Sequence, residues 1–192
     1  IFLLVFGILI KTASINKPEI KKNIPIPKEE RLSLIGDINT QRIINADSEP
    51  YNWLAHGRDY NEQRYSPLDQ INTKTIQSLE LEWSLDMGTT RGLEATPIVD
   101  NGIMFVSSTW SVVHAVDAKT GEELWVYDPN VPRSWARKVC CDVVNRGVAV
   151  WEKKVYFGTI DGRLISLDSK TGEVVWEINT LIDKEKDHTI TG

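Results

Sequence analysis

The only two cysteines of this 192-residue chain are adjacent, at Cys140 and Cys141. Consecutive Cα atoms across a trans peptide lie about 3.8 Å apart, less than the roughly 4.4–6.8 Å spanned by relaxed disulfides. A bond between them would close a small, strained ring, and strained disulfides are labile or functional rather than structural staples. Such a ring presents a flat, polarisable sulfur face to an aromatic group. Two reduced neighbours are the other reading. With no further cysteine and no closely spaced histidine, a conventional zinc site is excluded. Five residues past the pair, Arg146 offers a planar fork suited to a carboxylate, or else is a solvated rim arginine. Glu94, ahead of Ala95-Thr96-Pro97, reads from the sequence alone as a turn glutamate facing water. His114 lies on an alternating segment and reads as packed, while His56 and His188 fall in loops.

The elements that must position these residues are short strands punctuated by turns. Strands are expected at 79–85, 95–99, 103–107, 111–116, 123–127, 148–151, 155–159, 163–167 and 174–178. Asp100-Asn101-Gly102 is a hairpin signal. AVDAKTGEELW (115–125) and SLDSKTGEVVW (166–176) share six of eleven positions. Trp83, Trp125 and Trp176 recur at spacings of 42 and 51, a repeat period rather than scatter. In each turn an aspartate can bond the backbone ahead of it, and Gly121 or Gly172 permits the positive φ at the exit. Each cycle has four strands, as a propeller blade does, and its closing tryptophan is expected to be buried against the neighbouring blade. A helical lead-in capped by Asp47 or Ser48 is expected at 46–53, and one helical turn at 74–79.

Four runs carry a family resemblance. CCDVVNRGVAVW (140–151), GLEATP (92–97), WSVVHAVDAKTGEELW (110–125) and GRDYNEQRYSPLDQIN (57–72) resemble the pyrroloquinoline-quinone (PQQ) dependent alcohol dehydrogenases, ethanol and quinohaemoprotein branch. The resemblance covers roughly residues 45–192, and the vicinal-cysteine run is its most specific part. It implies an all-β fold, the first two and a half blades of an eight-bladed propeller with tryptophan-docking motifs. It implies a disulfide between Cys140 and Cys141 lying against the quinone. Arg146 and Glu94 would contact the cofactor, and so would Thr191, matching the second threonine of a T-x-T run, with Thr189 as substitute. The family's base aspartate, its calcium or lanthanide ligands and a tryptophan under the quinone belong later than residue 192. No base or metal ligand is therefore expected here, and Asp142 is not read as one. A haem c domain is implied for the quinohaemoprotein branch.

The activity implied is oxidation of a primary or secondary alcohol to a carbonyl compound, with electrons leaving to a cytochrome c-type acceptor. Membrane association is expected only through that partner. The methanol dehydrogenases share the cysteine pair but tend to differ at EATP and NRGVAVW. A rival from another class is a cofactor-free propeller of the cell envelope, similar to outer-membrane assembly lipoproteins. Such a scaffold keeps the TG-x-x-x-W turns but has no use for Cys140, Cys141, Glu94 and Arg146 together.

Composition agrees with a soluble domain: 41% hydrophobic, 26% charged, net charge −5. The acidic balance leaves no nucleic-acid footprint. Residues 1–10 are almost wholly apolar, too short to span a bilayer but suited to the core of an export signal. Residues 1–14 are read as a truncated signal peptide, with a buried strand as the alternative. Residues 15–45 read as a polar, poorly ordered linker, and 46–192 as an incomplete propeller. Export to the periplasm would let a disulfide persist.

Overall fold

The computed structural model describes residues 27–183, 186 and 188–192. The expected signal segment 1–14, and the linker as far as residue 26, lie outside them. Among the described residues, eight strands form two four-stranded antiparallel sheets in sequential order. The first holds β1 (Ile98–Asp100), β2 (Ile103–Ser107), β3 (Val113–Asp117) and β4 (Glu123–Tyr127). The second holds β5 (Ala149–Trp151), β6 (Lys154–Gly158), β7 (Arg163–Asp168) and β8 (Val174–Asn179). These are two consecutive blades, with β1 and β4 at the edges of the first and β5 and β8 at the edges of the second.

Asn101 (φ 49°) and Gly102 (φ 76°) make the expected β1–β2 hairpin, whose two positive φ values suit Asn-Gly. In the second blade Glu152 (φ 45°) and Lys153 (φ 63°) occupy the same turn. Neither favours that region, and left-handed backbone costs an ordinary residue about 1–2 kcal/mol. Their amides are held from outside, Glu152 N donating to Ile38 O at 3.0 Å and Lys153 N to Gly36 O at 2.7 Å.

The β3–β4 and β7–β8 turns match atom for atom. Asp117 Oδ1 accepts from the amides of Lys119 and Thr120 at 2.9 and 3.3 Å, and Asp168 Oδ1 from Lys170 and Thr171 at 2.9 Å each. Gly121 (φ 74°) and Gly172 (φ 73°) close them. A tryptophan from the preceding repeat lies on each glycine. Trp83 Nε1 donates to Ala118 O at 3.2 Å, and Trp125 Nε1 to Ser169 O at 3.0 Å. A Cβ at Gly121 or Gly172 would lie 2.6 or 2.7 Å from the indole above it. Trp176 corrects the expectation of burial: it is 39% exposed, because no further turn of this kind faces it among the described residues. The strand expected at 79–85 is also absent. That segment is anchored by Trp83 and has no strand partner among the described residues.

Residues 28–45 are not a loose linker. Helices α1 (Lys28–Leu34) and α2 (Thr40–Ile44) pack beneath both blades, and Ile35, Ile38 and Ile43 join the core with Ile98, Phe105, Val155 and Leu167. The lead-in expected at 46–53 is a single 3-10 turn, Ala46–Ser48, following Asn45 rather than a cap at Asp47 or Ser48. The expected turn near 74–79 is the 3-10 turn Ile76–Ser78. Ion pairs fasten this strap. Arg31 Nη2 meets Asp117 Oδ2 at 2.7 Å, and Arg42 Nη2 meets Glu49 at 2.5 Å and the fully buried Asp100 at 2.8 Å. The Asp100 carboxylate also accepts from Gly36 N at 2.9 Å. Trp53 adds an antiparallel bridge to Val99 beside β1.

Candidate functional site

The connection from β4 to β5 is built in two halves. Its first half makes a 3-10 turn, Arg133–Arg137, with the Arg133 guanidinium 4.1 Å from the Trp110 ring centroid and Lys138 Nζ 4.5 Å from that of Trp135. Its second half dives inward, Val143, Val144 and Asn145 being buried, and surfaces again at Arg146. Between the halves, Cys140 and Cys141 are exposed. Asp142 (φ 68°) is left-handed, its carboxylate accepting from Val143 N and paired with Arg91. Arg91 thus ties the Glu94 segment to the cysteine loop, a link the sequence reading missed because it joins residues 51 positions apart.

Arg146 is held from both sides by its backbone. Its N–H donates to Thr191 O at 2.7 Å, and its carbonyl accepts from Thr96 N at 3.0 Å. Gly147 (φ 137°) passes so close to Thr96 that a Cβ there would lie 2.9 Å from the Thr96 carbonyl oxygen. The Arg146 guanidinium then reaches Thr191 Oγ1 at 2.5 Å and Glu94 Oε2 at 3.3 Å. Both charged side chains are 44% exposed. The structure therefore brings Glu94, Arg146 and Thr191 into one contact group, and Thr191 rather than Thr189 is the threonine that meets the guanidinium.

The two sulfurs face each other at 2.6 Å, and both cysteines are free thiols in this structure. The hydrogen bond with Cys140, and then its charge, push the Cys141 thiol up; Glu94 adds to that shift and Arg146 opposes it. Cys141 thus sits within the fields of both site charges. His114, read as packed, is buried with Nδ1 2.7 Å from Glu123 and Nε2 3.2 Å from Ser108. Among the described residues no group of three or more His, Cys, Asp or Glu side chains could hold a metal ion.

The glucose/ethanol/alcohol dehydrogenase β-propeller domain profile of the PQQ proteins matches residues 53–178. The chain belongs to the PQQ dehydrogenase propeller family. Within it, the chain is 54% identical over 157 residues to the dehydrogenase subunit of the quinone alcohol dehydrogenase of Komagataeibacter europaeus, covering 79% of this chain and 21% of that protein. It is 56% identical over 140 residues to 1-butanol dehydrogenase (cytochrome c) of Thauera butanivorans, covering 73% of this chain and 20% of that one. The solved quinohaemoprotein alcohol dehydrogenase of Comamonas testosteroni superposes with a TM-score of 0.80 at 49% identity, over 85% of this chain and 24% of its own. A europium-containing methanol dehydrogenase gives 0.73 at 38% identity, over 79% of this chain and 27% of its own. The chain thus spans about a fifth of the length of the curated relatives it matches.

The cluster suits the cofactor for which this PQQ family is known, a planar, multiply anionic quinone. Arg146 is half-exposed and held by Glu94 at 3.3 Å, so its fork can still turn to a ligand carboxylate. The Thr191 hydroxyl can bond a polar edge, and the exposed sulfurs supply a soft, apolar face.

Proposed function

We propose that the protein carrying this chain is an exported PQQ-dependent alcohol dehydrogenase. It would oxidise primary or secondary alcohols to aldehydes or ketones and pass the electrons to a cytochrome c-type acceptor. The observation that supports this most directly is the contact group of Glu94, Arg146 and Thr191 beside the cysteine pair. When bound, the quinone would supply the two-electron acceptor for the hydride of the alcohol. Arg146 would pair with one of its carboxylates, Thr191 would bond a polar edge, and Glu94 would hold the guanidinium in place. In the oxidising periplasm, Cys140 and Cys141 would be joined as the flat wall of the site. The base and the calcium or lanthanide ligands would come from elsewhere in the complete protein. A haem domain would accord with the quinohaemoprotein relatives. Identity of 49% to a solved quinohaemoprotein against 38% to a solved methanol dehydrogenase favours the former branch.

The test is a titration of the complete, cofactor-free protein with PQQ, followed by tryptophan fluorescence, and then ethanol-dependent dye reduction with Ca²⁺ or a lanthanide present. Saturable binding, weakened tenfold or more by Arg146→Met, is expected. A protein that ignores PQQ would instead be the cofactor-free scaffold.

A further inference from the structure

Asn145 is 1% exposed and cannot touch a ligand in the site, yet its amide uses every hydrogen-bonding position it has. Oδ1 accepts from Ser107 Oγ at 2.6 Å and from Gly147 N at 3.1 Å. Nδ2 donates to Gly158 O at 2.9 Å and to Ser111 Oγ at 3.3 Å. Ser107 ends β2 and Gly158 ends β6, so one side chain ties together the site-facing ends of both blades. Ser111 (φ 61°) and Trp110 (φ 63°) are consecutive left-handed residues, a conformation that persists only where surroundings enforce it. Here the enforcement comes from Asn145 itself, from Trp110 N donating to Val143 O at 2.8 Å, and from Ile160 N donating to Ser111 Oγ at 3.3 Å. Asn145 also grips Gly147, the residue after Arg146, so the backbone that launches the guanidinium is fixed on both flanks.

Resting on the reading of Arg146 as the carboxylate-pairing residue of a quinone site, we propose that Asn145 is a positioning residue. Its saturated amide sets the Arg146 backbone, and through it the guanidinium, against the cofactor. A long, rotamer-rich cation gains affinity when its launch point is fixed beforehand. A buried polar hub that bridges two sheets supplies that rigidity in a way a hydrophobic residue of similar size does not.

A double-mutant cycle in the complete protein tests this. Asn145→Asp keeps the shape and the Oδ1 acceptor but removes both Nδ2 donors, and it is combined with Arg146→Met. PQQ affinity by fluorescence titration and melting temperature are read for all four proteins. Asn145→Asp is expected to lower PQQ affinity about 10–100-fold, by analogy with the loss of the partners that orient metal-ligating residues. In the Arg146→Met background the same change should cost less than about threefold, while the drop in melting temperature stays the same, because coupling shows as non-additivity. Equal affinity losses in both backgrounds, or a lower melting temperature with unchanged affinity, would overturn the proposal. Should Asn145→Asp not fold, Ser107→Ala, which removes one bond and leaves the amide in place, is read in the same cycle. Failure of the unmutated protein to bind PQQ would sink the functional reading and this inference with it. Binding with additive losses would sink the inference alone.

Discussion

Arg42 Nη2 donates to Asp100 Oδ1 at 2.8 Å, across 58 residues of sequence and from a helix to the tip of a hairpin. The same guanidinium grips Glu49 and holds its carboxyl below the ordinary carboxylate range. Removing the cation would leave Asp100 buried without a charged partner, and breaking a buried pair in that way costs about 3–5 kcal/mol. Arg42→Met is therefore expected to lower the melting temperature markedly, and Ile38→Ala, a cavity in the same strap, to cost about 2–5 kcal/mol. Thermal melts of both variants against Lys74→Ala, an exposed control, check this. A strap that behaves as a tether would show no loss for either.

A second prediction concerns pH. Burial works to raise the Asp117 carboxyl, but the hydrogen bond from Arg31 and those from the Lys119 and Thr120 amides outweigh it and hold the group below its usual range. A folded value below the unfolded one, near 4, means that the carboxylate contributes stability above that pH and loses it as the pH falls through the folded value. Arg31→Ala should cost about 1.5–3 kcal/mol at pH 7 and less at about pH 3, below the unfolded value. Denaturant melts at the two pH values measure it, and a penalty independent of pH would refute it.

Gly172→Ala should cost about 2–4 kcal/mol, combining a β-carbon at positive φ with overpacking against Trp125. The neighbour offers no relief, since the indole is tied to Ser169. The equivalent change at Gly88 (φ 65°), which has nothing within 4 Å, isolates the backbone part. Calorimetry of the pair separates strain from steric conflict.

The cysteine pair should govern activity rather than stability. A ring joining neighbouring residues removes almost no chain entropy, so the usual 2–4 kcal/mol of a disulfide, roughly, should be absent. Mild reduction of the complete oxidised protein is expected to stop electron transfer while the melting temperature stays nearly constant. Thiol titration and calorimetry on one sample check both. Turnover with both thiols free would give the ring another role.

The 192-residue chain by itself should show no alcohol turnover with PQQ and Ca²⁺, because the family resemblance places the base and the metal ligands elsewhere in the complete protein, and among the described residues no group of three or more His, Cys, Asp or Glu could hold a metal ion. Steady-state assays of the purified chain beside the complete protein settle the point.

The blades were legible because their information is local: an aspartate, a glycine and a tryptophan at fixed offsets specify the turn and its neighbour. The strand limits followed from alternation and fell within about two residues of those found for seven of the eight strands. The strap was not legible. The burial of Ile35, Ile38 and Ile43 is created by blade surfaces far along the chain, which no local pattern shows. At the site, the cysteine pair and Arg146 announce themselves by type and spacing. Asn145 does not, because its four bonds come from four separate places and a buried amide carries no sequence mark. The burial expected of Trp176 failed for the converse reason: its period was read correctly, but no turn of the kind that seats Trp125 faces it among the described residues.

The tryptophan docking has a direction, and therefore a timetable. Trp83 reaches forward to Ala118 and Trp125 forward to Ser169, 35 and 44 residues later. At a synthesis rate of roughly 5–20 residues per second, Trp125 leaves the ribosome some 2–9 s before its seat exists. Each blade is thus born with an unsatisfied indole, and its successor completes it. Pausing of the ribosome between residues 125 and 172 would prolong the exposure of that ring, and the nascent chain would be most vulnerable to aggregation in that interval.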